Sequence, residues 1–289
     1  MQFSKPAAGL EEFIRFYVQR ELRIPRGVIR HPVPARPAPM IVFEFGDPIT
    51  VLKVDEGIRV PSPAGVPAVV GLPTFRRVEM ELRGTICTLA VMFQPDGLQR
   101  LFSVPSQELP SNGGDAHAVL GRCMYHLRQV LGALPSFHER VRVLNDFFLH
   151  QALSSAAANS ISKAVNYIVG QRGCVRIGAL ADMAGLSTRH VDRRFIDYMG
   201  MRPKLFARIV RFQSALQNKA LHADRTWTEI AHDFGYFDQM HMIHDFERLA
   251  GGTPKEILTH VETVFVEQIN QIRSKAVRET RSSDATLTL

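Results

Sequence analysis

Residues 180–254 read LADMAGLSTRHVDRRFIDYMGMRPKLFARIVRFQSALQNKALHADRTWTEIAHDFGYFDQMHMIHDFERLAGGTP, and the stretch says nearly the same thing twice. One copy carries Ala181, Gly185, Ser187, Phe195, Gly200 and Pro203; the other carries Ala231, Gly235, Asp238, Phe246, Gly251 and Pro254. From Ser187 and Asp238 onward the spacings agree: eight residues to the Phe, five to the Gly, three to the Pro, and 51 between twins. Each copy predicts helix, tight turn, helix. The small Ala181 and Ala231 allow another helix to approach closely. Gly185 and Gly235 fall where a helix ends in a left-handed residue, which only glycine adopts without side-chain penalty. Ser187 and Asp238 are predicted N-caps, their oxygens accepting from the open amides of the next helix.

The helices so capped bury one side and offer the other. Val191, Phe195 and Tyr198 share a face of the first, and Met242, Phe246 and Leu249 a face of the second. Opposite, at about 100° per residue, stand Arg189 and Arg193 with His190 and Asp192 on the flanks. In the second copy Met240 and His244 stand opposite, with Gln239 and His241 toward the capped end. From Arg172 to Arg211 there are nine Lys or Arg against three acidic residues. Such a face suits the DNA major groove, where Arg, Asp, Gln and His pair with base edges. A helical bundle with a solvated charged face is the bland alternative, and duplication in register argues against it.

The 180–257 stretch resembles the DNA-binding domain of the AraC/XylS family of transcription regulators along its whole length. In that family two helix-turn-helix units, joined by a long helix, enter successive major grooves. The resemblance implies base-reading positions at Arg189, Asp192 and Arg193, with His190 beside them, and at Gln239, Met240, His241 and His244. It also implies that the caps Ser187 and Asp238 meet the DNA backbone. His244 stands where the family often has arginine, so its partner could equally be a phosphate.

The chain has 289 residues, enough for two domains each burying its own core. Lys and Arg outnumber Asp and Glu by 35 to 28, a mild basic excess consistent with an anionic partner. Cys87, Cys123 and Cys174 are odd in number, scattered and without ligand spacing, which argues against a disulfide framework and a zinc site. The opening MQFSKPAAGLEEF is too polar for a signal peptide and no apolar run approaches 18 residues, so a soluble cytoplasmic protein without a membrane partner is expected.

Upstream of the repeat, residues 10–22 suit a short helix or a strand, and RHPVPARPAPM an extended arm. From Met40 to Phe93 short apolar runs alternate with turn signals: MIVFEF, ITVLKV, RVEMELRG and TICTLAVMF read as separate strands. The expected class is α+β: a cupin-like β-barrel with helices, followed by an all-α domain with two helix-turn-helix motifs. A cupin-like sensor domain is also what the family resemblance implies. Phe43, Phe45, Val91 and Phe93 are candidates for lining an effector pocket, or for filling the barrel. Residues 40–93 contain no histidine, so a two-histidine, one-carboxylate metal site cannot be built from those strands. Nor is there a phosphate-binding P-loop or nucleophile elbow. No cofactor, no metal and no catalytic residue are expected, and the protein is read as not an enzyme.

Between residues 97 and 153 the pattern turns helical, with GLQRLF, AHAVLGRCMYHLRQVLG and PSFHERVRVLNDFFLHQAL as three helices. Val141, Leu144 and Phe148 form a stripe that reads as core, or, as the resemblance implies, as a homodimer surface. The expected organisation is a regulatory domain over 1–153, a linker over 154–160, the DNA-binding domain over 161–262 and a disordered tail over 263–289. Double-stranded DNA is the expected partner, with RNA polymerase and a small-molecule effector beside it, as for an activator of this family. A non-specific architectural DNA binder and a cupin-type metal enzyme fused to a DNA reader are the alternative readings.

Overall fold

The computed structural model describes residues 1–53, 59–61, 68–71, 78–104 and 114–261; the predicted tail over 263–289 lies outside them. Packing divides the chain into two units, Met1–Arg211 and Phe212–Leu289. The first unit holds a sheet of eight strands: β1 Gln2–Ser4, β2 Ile14–Val33, β3 Met40–Glu44, β4 Thr50–Lys53, β5 Arg59–Pro61, β6 Ala68–Gly71, β7 Val78–Phe93 and β8 Gly114–Asp115. Every pairing is antiparallel, in the order β1-β2-β7-β3-β6-β8, with β4 joining β7 and β5 joining β4. Among the described residues the path is open. The cupin-like β-barrel expected there is, over the described residues, an open cupin-like antiparallel sheet.

Two long strands organise it. Of residues 10–22, which suited helix or strand, 14–22 lie in β2, where Ile14 and Tyr17 are fully buried and paired to β7. The two runs expected as separate strands are one, β7, turning at Gly84, whose φ is +65°. A side chain there would strike the Asp47 carboxylate, which accepts from the Thr85 amide at 2.7 Å. Opposite Gly84 the register shifts between Ile24 and Ile29, a bulge that lets β2 follow the bend.

The helices of this unit are α1 Gly97–Phe102, α2 Ala116–Leu120, α3 Cys123–Ala133, α4 Phe137–Ala152, α5 Ser160–Gly170, α6 Ile177–Ala184 and α7 Thr188–Met199. The single helix expected over AHAVLGRCMYHLRQVLG is broken into α2 and α3 at Gly121, which takes φ +90°. Val130 is consequently 48 % exposed while Met124, Leu127 and Leu131 face inward. α4 opens with a reciprocal Ser136–Glu139 capping box. Asn145 on α4 pins the sheet by accepting at 3.0 Å from both Tyr17 Oη and the Ala7 amide.

Val141, Leu144 and Phe148 are 7, 0 and 0 % exposed, all within the core cluster. Of the two readings of this stripe, core or homodimer surface, the burial fits the core one, and Phe148 packs edge-on to Phe93 and Phe102. The candidate effector-pocket residues, read as lining or filling, lie mostly in the same cluster. Phe43, Val91 and Phe93 are fully buried in that cluster, and Phe45 lies beneath the guanidiniums of Arg140 and Arg128 at 4.8 and 5.8 Å.

The stretch 154–160 is tied down. Ala156 exchanges bonds with Arg100 of α1, its amide donating to the Arg100 carbonyl and its carbonyl accepting from Arg100 Nε. Arg100 also pairs with Glu12 and lies over the Phe13 ring. Next to it Asp96, 1 % exposed, bonds Ser162 of α5, whose hydroxyl is 3.0 Å from Tyr198 Oη of α7. Burial raises the Asp96 carboxyl above its ordinary pKa, against the Ser162 hydrogen bond and the Arg100 charge.

α8, Pro203–Leu221, is continuous across the division. In the first unit Phe206 meets Phe195 of α7, and Gly173 (φ +78°) lets the loop after α5 reach the Ala207 carbonyl. The second unit contains α9 Trp227–Asp233, α10 Gln239–Ala250 and α11 Pro254–Val261. Its core is Phe212 edge-on to Phe246 at 4.7 Å, with Trp227 on the other side of Phe246.

Replacing Phe148 by Ala should cost about 3–5 kcal/mol in denaturant unfolding; dissociation of a dimer at unchanged stability would contradict the core assignment. Asp96→Asn keeps a partner for Ser162 and removes a buried charge. Because folding raises this pKa, ionisation costs stability at neutral pH, and that cost vanishes as pH falls through the folded value. The variant should therefore unfold at higher denaturant than the parent at pH 7, an advantage that disappears near pH 4, about the unperturbed Asp value; equal midpoints at both pH values would refute it.

Candidate nucleic-acid interface

The two copies of the motif close their turns with the same backbone bonds. In the first, the Leu186 amide donates to the Ala181 carbonyl at 3.0 Å; in the second, the Tyr236 amide donates to the Ala231 carbonyl at 2.9 Å. Between them sit Gly185 and Gly235 at φ +62° and +63°. This is the glycine helix stop with the amide of the following residue reaching back five positions. Predicted and observed turns agree to the residue.

The next helix is then capped. Ser187 Oγ accepts from the His190 amide at 3.4 Å and lies 3.0 Å from its Nδ1. Asp238 Oδ1 accepts from the His241 amide at 2.7 Å. α7 and α10 each run 12 residues and stop at left-handed Gly200 and Gly251, φ +72° and +77°.

Burial sorts the faces. Val191, Phe195 and Met199 are buried on α7, and Met242, Phe246 and Leu249 on α10. Tyr198, expected among the buried residues, is half-buried with its hydroxyl on Ser162. Arg189, His190 and Arg193 are exposed together on α7, with Asp192 partly exposed between them. Gln239, Met240, His241 and His244 are all exposed on α10. α7 belongs to the first unit and α10 to the second, so each group is a face of its own unit.

Other groups were not singled out from the sequence. Arg194 is exposed on α7 and borders a cleft of about 480 Å³ that Gln99, Ser103, Asn159 and Tyr198 also line. Thr228 of α9 donates its hydroxyl to Gln239 Oε1 at 2.8 Å, holding that amide. Phe237, in the second turn, is 92 % exposed. A signal for it existed: Gly235 precedes its cap by three residues, whereas Gly185 precedes its cap by two.

Residues 180–260 match the family described as "Helix-turn-helix domain". The helical part of the chain thus carries a helix-turn-helix domain of the AraC type. Residues 2–113 match a second family, described as a domain of unknown function, DUF6597. No curated protein matches the chain. Among solved structures, the chain is similar to wild-type ToxT from Vibrio cholerae strain SCE256 bound to an unsaturated fatty acid. Identity is 9 %, the match covers 86 % of this chain and 96 % of that one, and the TM-score is 0.52. It is also similar to an apo ToxT from the same strain carrying one substitution, at 8 % identity, 89 and 99 % coverage and TM-score 0.51. The DNA-binding domain of AdpA, solved in complex with a target DNA, matches at 22 % identity over 36 % of this chain and 95 % of that one, with TM-score 0.33. The likeness to ToxT extends the shared fold to the sheet as well as the helices.

Truncating either cap should destabilise its helix. Ser187→Ala and Asp238→Ala are each expected to cost roughly 1 kcal/mol, with Asp238 the larger because its bond is shorter and its acceptor charged. Chemical denaturation measures both; a larger loss at Ser187 would contradict the ranking.

Proposed function

We propose that the outer faces of α7 and α10 are the two base-reading surfaces of a sequence-specific transcription regulator, entering successive major grooves of DNA. The observation that carries this reading is the pair of capped helices of equal length. Each is held by its buried side and leaves hydrogen-bonding side chains exposed on the other. Arg189 and Arg193 offer the planar donor fork that fits the guanine O6 and N7 pair, and Asp192 an acceptor for a cytosine amino group. Gln239, with its carbonyl held by Thr228, offers its amide nitrogen outward. Each cap leaves first-turn amides available to a phosphate, the usual anion site at a helix start.

For control by a small molecule, the supporting observation is the cleft in the first unit. A ligand filling it would touch α1 at Gln99, the α5 cap Asn159 and α7 at Tyr198 and Arg194 together. The buried Asp96–Ser162–Tyr198 cluster already joins those three helices. A ligand there bears on α7 directly, in contrast to the filled interior around Phe43 and Phe93.

Arg193→Ala should lose about 1–3 kcal/mol of affinity for a selected duplex and relax preference at one base position. Competition against random duplex at fixed salt is the measurement. Unchanged affinity together with unchanged preference would remove α7 from the interface.

A further inference from the structure

The two reading helices carry different chemistry. α7 presents Arg189, Arg193 and Arg194. α10 has no arginine or lysine until Arg248 near its end, and its exposed first turns are Gln239, Met240, His241 and His244. A guanidinium fork for guanine is therefore available to one helix and missing from the other.

In its place the second unit exposes apolar groups. Met240 is 56 % exposed and Phe237 is 92 % exposed. Phe237 is the extra residue of the second turn: the backbone bond that closes the turn is complete at Tyr236, as it is at Leu186 in the first copy, so folding does not call for another residue before the cap. Its amide donates to His241 Nδ1 at 3.4 Å, and the Tyr236 ring abuts the same imidazole at 5.4 Å. Phe237 is thereby fastened at the N-terminal end of α10, where such helices approach base edges. The same bond makes Nδ1 an acceptor, which leaves Nε2–H as the donor of His241. Exposed Phe and Met contact one base-edge group well, the thymine C5-methyl, while a Gln amide pairs with adenine N6 and N7.

We propose that the second unit reads thymine methyls through Phe237 and Met240, so that the operator is asymmetric: guanine-bearing under α7 and rich in A·T pairs under α10. This rests on the base-reading assignment above and adds to it the chemistry of each half-site. The occupant of the apolar patch is DNA because the patch is continuous with Gln239 and His241 on the same helix turn.

The test begins with duplexes selected from a random pool by the full-length protein. Thymines of the half-site protected by α10 are then replaced singly by deoxyuridine, which removes the methyl and leaves the hydrogen-bonding edge. Each contacted methyl should account for about a fourfold loss in affinity. Phe237→Ala and Met240→Ala should each weaken binding to the thymine duplex and abolish the deoxyuridine effect at the thymine that side chain contacts, with thermal melting unchanged because both side chains are exposed. Arg189→Ala should leave that advantage intact. Equal binding of both duplexes by the parent protein, or guanine selected under α10, would overturn the proposal. So would a Phe237→Ala variant that retains methyl sensitivity yet loses transcriptional output, which would assign the ring to a protein partner. Failure of the base-reading assignment itself looks different: no sequence would emerge from the selection at all.

Discussion

A helix that must stop, turn and restart within a few residues leaves amides and carbonyls without partners at both ends, and this chain meets that demand identically in two places. A left-handed glycine reverses the backbone, the amide of the next residue reaches back to the Ala carbonyl, and Ser187 or Asp238 receives the third amide of the next helix. Once the turn is closed, the rotation of α7 or α10 about its axis is set by a buried Val191–Phe195 or Met242–Phe246 pair. Which side chains remain in solvent follows from that rotation. The exposed faces proposed to read bases are thus consequences of turn closure, and the proposal for Arg193 and Gln239 depends on it.

The sheet-bearing part of the first unit bears on α7 through polar groups. Asp96, Ser162 and Tyr198 link the start of α1 to α5 and α7, while Arg100 ties α1 to the segment that precedes α5. Buried hydrogen bonds of this kind are directional and costly to leave unmade. They hold α7 in one setting relative to α1 more stringently than an apolar contact would. The adjoining cleft is lined by residues of the same three helices, so the effector proposed for it would have a short physical route to α7.

Duplication did not preserve chemistry. The copies agree at glycines, caps and core aromatics, where backbone geometry and packing admit few residue types. On the outer faces they diverge, arginines on α7 against Gln239, Met240 and two histidines on α10. The scaffold imposes nothing on an exposed side chain, so those positions are free to follow the ligand.

The turns, caps, exposed faces and core of the repeat were legible in the amino-acid order because their signals are local: a glycine, a cap and an apolar spacing of three or four residues act within about ten residues of one another. Phe237 was legible in principle as a one-residue difference in turn length. What sequence alone could not decide was how separated segments share space. Val141, Leu144 and Phe148 make an apolar stripe whether it meets a second copy or the sheet, and only the packing of Phe148 on Phe93 assigns it to the core. Phe43, Phe45 and Val91 likewise read the same as cavity lining or as filling. The open path of the sheet and the joining of two runs into β7 at Gly84 depend on pairings far apart in the chain. The Asp96–Ser162–Tyr198 cluster joins residues more than 30 positions apart, and no periodicity marks such a meeting, because burial of a polar group is decided by what the fold brings to it.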